Sequence, residues 1–199
     1  MKSLFLRSCA ALLCACGLAA CGGSSGSLLL SGTITGLTQP NLVLSNGGES
    51  LAVAPVSLTS TQQVFSFVNL LNQGDSYNVT VTTPPLESNC TVTNGVGNAS
   101  TGNVTTVLVN CVTHAYTLGG TVSGLTSGNS VTLKNGNDSV TVGSNIPFAF
   151  QAQVAFGAPY TVVQQPTNGG QTCSVTGGDT GAGAGLMVHG GVNVQVTCQ

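Results

Sequence analysis

Apolar and small polar side chains alternate along most of the chain beyond residue 29. In Tyr77-Asn78-Val79-Thr80-Val81, and again in Val192-Asn193-Val194-Gln195-Val196, every second side chain is apolar. A period of two places these side chains on one face of a half-buried β-strand. No stretch has the spacing of an amphipathic helix, so the pattern predicts an all-β protein. The predicted strands lie near residues 30–35, 41–44, 50–54, 64–68, 77–82, 90–93 and 104–111, and then near 117–123, 131–134, 139–143, 147–153, 160–164, 172–176 and 192–198.

Asn-Gly dipeptides separate several of these strands. Both residues of such a pair tolerate the positive φ that tight hairpin turns require. The sequence therefore predicts hairpins between antiparallel neighbours at Asn46-Gly47, Asn94-Gly95, Asn135-Gly136 and Asn168-Gly169.

The chain contains an internal repeat. Residues 31–48 read SGTITGLTQPNLVLSNGG, and residues 119–136 read GGTVSGLTSGNSVTLKNG. Further landmarks follow both stretches in the same order: Phe-x-Phe, a Tyr that opens a strand, Cys-x-Val and a closing Val-x-Val-x-Cys. Each copy spans about 80 residues, which is the size of a small domain. The repeat predicts two tandem domains, at residues 30–112 and 113–199.

Cysteines in these copies indicate an oxidising compartment. Four cysteines lie beyond residue 29, namely Cys90, Cys111, Cys173 and Cys198, and they allow three disulfide connectivities. Each copy holds one pair, so the duplication favours Cys90–Cys111 and Cys173–Cys198. Zinc is the alternative, but no Cys-x-x-Cys pair occurs and the four residues are widely spaced. Each bridge would stabilise its domain by about 3 kcal/mol in the chain-entropy model.

Seven short strands in each copy predict a small antiparallel β-sandwich of immunoglobulin-like type. The chain has no Trp, and the cysteine pair comes late in each copy, so the domains depart from the antibody pattern. We expect each core to form around side chains that both copies place at matching points, namely Leu37, Phe65, Phe67, Val79, Val81, Val107 and Val109 in the first copy and Leu125, Phe148 and Phe150 in the second.

The N-terminus resembles the signal peptide of a bacterial lipoprotein. An apolar run, residues 9–20, is too short to span a bilayer and ends at Leu18-Ala19-Ala20-Cys21, which is similar to a lipobox. The resemblance implies removal of residues 1–20, a diacylglycerol on the Cys21 sulfur and an acyl chain such as palmitate on the new amino terminus. Residues 21–29 would form a Gly/Ser-rich tether to the cell envelope, at the outer membrane where the host has one. The alternative is an ordinary secretory signal peptide.

The two copies also resemble a repeat of bacterial exported lipoproteins and large surface proteins, with the outline G-G-T-V-S-G-L, F-x-F, Y-x-V, C-x-V and V-x-V-x-C. The resemblance covers residues 30–199 and implies a surface location and modular use. It implies no catalytic residues.

Charge is scarce in this chain, since Asp, Glu, Lys and Arg make up 4% of its residues. Beyond residue 20 the only basic side chain is Lys134, which excludes nucleic acid as a partner because nothing can neutralise phosphates. The sequence indicates no metal site and no cofactor. His114 and His189 have no Ser or Cys partner at a local spacing, and we expect both to be incidental.

The Gly-rich stretch from Gly177 to Gly191 is the largest difference between the copies. We expect a mobile hairpin loop that is the best candidate for a variable binding loop, with Met187 folding back onto the sheet.

The sequence thus predicts a non-enzymatic, lipid-anchored envelope protein whose two domains serve as spacer or interaction modules. An envelope protein, an extracellular protein or a glycan is the expected class of partner. The first alternative is a carbohydrate-binding surface module, for which Tyr116 is the one tyrosine expected to be exposed. The second is a hydrolase, for which the scattered acids offer no carboxylate pair.

Overall fold

The computed structural model describes residues 26–56, 62–178 and 180–199, and this part of the chain is all-β. The predicted signal peptide, Cys21 and most of the predicted tether lie outside the described residues. We call residues 26–113 the N-terminal half and residues 114–199 the C-terminal half. The strands of the N-terminal half are β1 (Leu30–Thr35), β2 (Leu42–Asn46), β3 (Glu49–Val53), β4 (Gln62–Ser66), β5 (Ser76–Thr83), β6 (Ser88–Thr93), β7 (Val96–Asn98) and β8 (Val104–Thr113). Those of the C-terminal half are β9 (Ala115–Tyr116), β10 (Leu118–Ser123), β11 (Val131–Asn135), β12 (Asp138–Val142), β13 (Pro147–Ala149), β14 (Val154–Ala155), β15 (Pro159–Gln164), β16 (Cys173–Thr176), β17 (Ala184–Leu186) and β18 (Val192–Cys198).

Each half contains two four-stranded sheets with corresponding strand orders. In the N-terminal half the orders are β4-β1-β8-β6 and β3-β2-β5-β7. In the C-terminal half they are β13-β10-β18-β16 and β12-β11-β15-β17. A fifth sheet of only two short strands, β9 and β14, lies where the chain enters the C-terminal half. Most neighbours are antiparallel, as the alternation and the turns predict.

One pair in each half corrects the prediction of purely antiparallel sheets. Strand β1 is parallel to β8, and β10 is parallel to β18. The strand that opens each sequence repeat, β1 or β10, therefore lies beside the last strand of its half. In an immunoglobulin constant domain the first strand pairs with the second instead, whereas here β2 pairs with β3 and β5. Strand count and alternation predicted an all-β fold, but neither determines the order of strands within a sheet.

Both sheets of each half contribute buried side chains to one apolar core. The N-terminal core combines Ile34 and Val107 of one sheet with Leu44 and Val79 of the other. The C-terminal core is built in the same way and includes Met187 from the Gly-rich stretch. The predicted core residues are buried except Val81, which is half-buried. In each half the two phenylalanines of the Phe-x-Phe pair pack edge to face, with ring centroids 6.0 Å apart.

Both predicted disulfides are confirmed, as Cys90–Cys111 and Cys173–Cys198. Each joins residues that are directly opposite in an antiparallel pair, β6 with β8 and β16 with β18. The Cα atoms are 4.0 Å and 3.9 Å apart. Each bridge ties the last strand of its half to an edge strand.

Two of the four predicted hairpins are present. Strands β2 and β3 turn at Gly47-Gly48, and β11 and β12 turn at Gly136-Asn137, one residue later than expected. The predictions at Asn94-Gly95 and Asn168-Gly169 are wrong, because the chain crosses there from one sheet to the other. Asn94 does adopt a positive φ of 57°. The dipeptide thus predicts the local backbone but not the partner of the next strand.

The end of the predicted tether already bonds to the N-terminal half. The Ser27 and Leu28 N–H groups both donate to the Leu71 carbonyl, so this bonding begins before residue 30. Strands β7, β9, β14 and β17 were not predicted, since each has at most three residues and too little alternation to detect.

Candidate functional site at the junction of the two halves

The two halves meet at His114, whose backbone N–H and carbonyl form hydrogen bonds with different halves. Its N–H donates to the Glu87 carbonyl of the N-terminal half at 2.8 Å. Its carbonyl accepts from the Phe156 N–H of the C-terminal half, also at 2.8 Å. Strand β8 ends one residue before His114 and β9 begins one residue after it, so the chain passes directly from one half to the other.

Glu87 lies in the turn between β5 and β6 and points at this junction. It has a φ of 48°, a left-handed conformation that side chains other than Gly and Asn rarely adopt. Neighbouring contacts hold the turn in place: the Leu86 N–H donates to the Pro40 carbonyl, and the buried Ser88 hydroxyl donates to Thr113 Oγ1. The turn is therefore fixed by the N-terminal half, while its carboxylate faces the C-terminal half.

Three side chains of the C-terminal half, which begins at His114, surround the Glu87 carboxylate. The Tyr116 hydroxyl donates to Oε2 at 2.5 Å. His189 Nδ1 lies 3.0 Å from Oε1, and His114 Nδ1 lies 3.4 Å from Oε2. His189 Nδ1 is also 2.9 Å from the Tyr116 hydroxyl oxygen, and the two rings meet edge to face. The carboxylate keeps 19% of its side-chain surface exposed.

The donors and acceptors of the cluster can be assigned from chemistry. An ionised carboxylate only accepts hydrogen bonds, so Tyr116 gives its single hydroxyl proton to Glu87. The phenol oxygen then serves as an acceptor, and His189 Nδ1–H donates to it and to Oε1. His114 Nδ1–H donates to Oε2. The bond from Tyr116 requires a protonated phenol, and an ionised Glu87 strengthens all the bonds that it accepts.

The contacts move the pKa values of both groups in opposite directions. The Tyr116 hydroxyl, followed by the His189 and His114 N–H groups, lowers the pKa of Glu87 below its ordinary value. The same hydrogen bond from Tyr116 to Glu87 raises the pKa of Tyr116, because a phenolate beside a carboxylate would lose the bond and be repelled. Both shifts favour the protonation states that hold the cluster together.

A groove of about 380 Å³ lies at the same junction, lined by Thr38, Gln39, Thr113 and residues 155–159. Across it, the Gln39 amide donates to the Phe156 carbonyl at 3.4 Å. The junction thus has a polar cluster at Glu87 and a mainly apolar cleft beside the short loop after β14.

The two histidines, which were expected from the sequence to be incidental, both lie in this cluster. Both contact Glu87, from 27 and 102 residues away in sequence. Local spacing could not find them, because three separate segments contribute to the cluster. Composition was the available signal. The chain has only five acids and two histidines, and both histidines lie at this junction.

The other described acids have local structural partners. Glu49 accepts from the Val68 and Asn69 N–H groups, Asp75 from the Asn72 N–H and Asp138 from the Ala152 N–H. Asp179 lies outside the described residues. Among the residues that the structure describes, no three His, Cys, Asp or Glu side chains are arranged to hold a metal ion.

The Gly-rich stretch differs from the predicted loop. Residues 184–186 form β17, which pairs with β15 and completes a sheet. Met187 is 1% exposed and lies in the C-terminal core, as predicted. The stretch still supplies His189 to the junction, from the turn that follows.

The aromatic side chains do not form an exposed platform in the described part of the chain. Tyr77 and Tyr160 are buried, as predicted, and Tyr116 is half-buried against His189. No helix within residues 26–56, 62–178 and 180–199 has the length and hydropathy needed to cross a bilayer. The sequence matches no known protein family and no curated protein.

Proposed function

We propose that this chain is a lipid-anchored cell-envelope protein whose two β-sandwich domains act as non-enzymatic spacer or interaction modules. The observation that carries the proposal is the order of its parts. The lipobox-like Leu18-Ala19-Ala20-Cys21 is followed by a Gly/Ser-rich tether and then by two disulfide-bonded halves. A lipid at Cys21 would hold both halves at a membrane surface.

Matching contacts in the two halves support the assignment of two duplicated domains, each a sandwich with its own strand order. Asn46 Oδ1 accepts from the Asn78 N–H at 2.9 Å, and Asn135 Oδ1 accepts from the Thr161 N–H at 3.0 Å. Glu49 and Asp138 each follow a hairpin turn and accept from the loop after the Phe-x-Phe pair. Such correspondence at polar positions is expected from duplication, because alternation alone does not demand it.

The disulfides support an exported location. Cross-strand bridges persist in oxidising compartments, such as the periplasm or the cell surface, and are rare in the cytosol. Small domains also gain more from them, since their cores bury less surface.

The described carboxylates are consistent with a structural role, because each already accepts hydrogen bonds from the protein itself. Glu49, Asp75 and Asp138 accept bonds from nearby backbone or side-chain donors, and both oxygens of Glu87 accept from the junction cluster.

Metabolic labelling with an alkyne fatty acid tests the anchor. We expect the wild-type chain and Cys16→Ser to carry the label and Cys21→Ser to lose it, with the unlabelled chain released from the membrane fraction. Cys16 is the matched control because it is a cysteine of the same apolar segment, upstream of the predicted cleavage point. Equal labelling of the wild type and Cys21→Ser would contradict the proposal.

A binding screen of the labelled protein against peptidoglycan, glycans and matrix proteins then separates the two modular roles. Retention by one class would indicate an interaction module, and retention by glycans alone would favour the carbohydrate-binding alternative. No retention on any of them would favour a spacer.

A further inference from the structure

The covalent link between the halves does not by itself fix their orientation. His114 is the one residue between β8 and β9, and its N–H and carbonyl bond to different halves. A junction of one residue can act as a hinge, since a few backbone angles suffice to turn one body against the other. What holds the halves together must then come from contacts across the junction.

A large share of the ionisable side chains of this protein take part in the contacts across the junction. Both histidines, one of three tyrosines and one of five acids meet at the junction. Glu49, Asp75 and Asp138 accept bonds from donors of their own half. Among the described acids, Glu87 is the one whose side-chain partners belong to the other half. Its carboxylate therefore accepts hydrogen bonds across the junction.

The backbone conformation at Glu87 directs its carboxylate toward the junction. A φ of 48° at a glutamate costs free energy, and such conformations persist where the surrounding structure holds them. The bond from Ser88 to Thr113 and the bond from Leu86 to Pro40 hold the turn from both sides. Contacts within the N-terminal half therefore position the carboxylate without help from the C-terminal half.

We infer that Glu87, Tyr116 and His189, together with His114, form a clasp that holds the two halves in one orientation. The clasp is a positioning device and makes the protein a single stiff body rather than two freely turning ones. The inference rests on the proposed division into two domains but not on the lipid anchor. The labelling of Cys21 and the test below therefore fail independently.

The test measures a distance between the halves in the full chain, purified in mild detergent. Spin labels are attached through non-canonical amino acids at Val64 and Lys134, two exposed positions in different halves. Pulsed electron spin resonance then gives the distribution of the label distance. We expect a narrow distribution in the wild type and one about twofold wider in Glu87→Gln and Tyr116→Phe.

Glu49→Gln is the matched control, since it makes the same chemical change at a carboxylate that bonds within the N-terminal half. It is expected to leave the distribution narrow. Amide hydrogen exchange at His114 and Phe156 gives a second readout, which we expect to be about tenfold faster in Glu87→Gln than in the wild type or Glu49→Gln.

A wild-type distribution as wide as that of Glu87→Gln would overturn the clasp. So would a distribution that stays narrow in Glu87→Gln and Tyr116→Phe alike, because other contacts would then hold the halves. A cooperative urea unfolding transition, followed by circular dichroism, establishes that each variant is folded. Tyr116→Phe keeps the test decisive if Glu87→Gln fails to fold.

Discussion

The described carboxylates of this protein accept hydrogen bonds from its own backbone and side chains. A carboxylate that accepts from an N–H group forms a stronger bond than a neutral acceptor does. Glu49 and Asp138 use this bond to fix a loop inside each half, and Glu87 uses it between the halves. Because the chain has so few charges, replacing one carboxylate should disturb only the loop or junction that it holds.

Because the Tyr116 hydroxyl donates to the Glu87 carboxylate, the pKa of Tyr116 should lie above the ordinary tyrosine value of about 10. Its pKa is raised, so its contribution to folding is fully present below the unfolded pKa and is lost as the pH rises through the folded one. Absorbance titration of the wild type minus that of Tyr116→Phe isolates this phenol.

In Glu87→Gln the midpoint of Tyr116 should move down toward the ordinary value, since the acceptor charge is gone. Glu49→Gln should leave it unchanged. An unaltered midpoint in Glu87→Gln would mean that the Tyr116–Glu87 bond does not form in solution.

At the scale of elements, one parallel pair closes each half, β1 with β8 and β10 with β18. Gly36 follows β1 with a φ of 71°, and Gly124 follows β10 with a φ of 73°. A Cβ at either position would collide with the carbonyl oxygen of a disulfide cysteine, Cys111 or Cys198. The chain thus leaves the sheet by passing directly over the bridged end of the last strand.

Gly36→Ala and Gly124→Ala should each destabilise the protein by about 2 kcal/mol or more, because alanine is strained at positive φ and the collision adds to that strain. Gly48→Ala is the control, since a Cβ there meets nothing within 4 Å and its φ is not positive. Urea unfolding with intact disulfides measures the three variants. Equal stability of all of them would contradict the close approach that the structure describes.

Elements differ in how far the sequence could predict them. Alternation identified strands such as β1 and β18 because their buried faces are regular, and duplication selected the disulfides. Pairing was harder, since an Asn-Gly turn at Asn94 looks the same whether the next strand stays in the sheet or leaves it. The junction was beyond local patterns, because Glu87 and His189 are 102 residues apart and alternation carries no information at that distance.

At the scale of the molecule, the two halves have separate cores and separate bridges but share one polar junction. The buried residues form two clusters, one in each half. If each half is a domain, as we propose, its stability should depend on its own disulfide and respond to the other half only through the junction.

Calorimetry of the full chain tests this independence. Replacing both cysteines of one bridge by alanine should cost its half about 3 kcal/mol, a fall of about 15 °C in Tm for a domain of this size. Cys90→Ala with Cys111→Ala should lower one transition, and Cys173→Ala with Cys198→Ala should lower the other. Glu87→Gln in either background should separate the two transitions further, because it releases the clasp that couples them. A single transition that both bridge variants lower equally, and that Glu87→Gln does not split, would show that the halves unfold as one body.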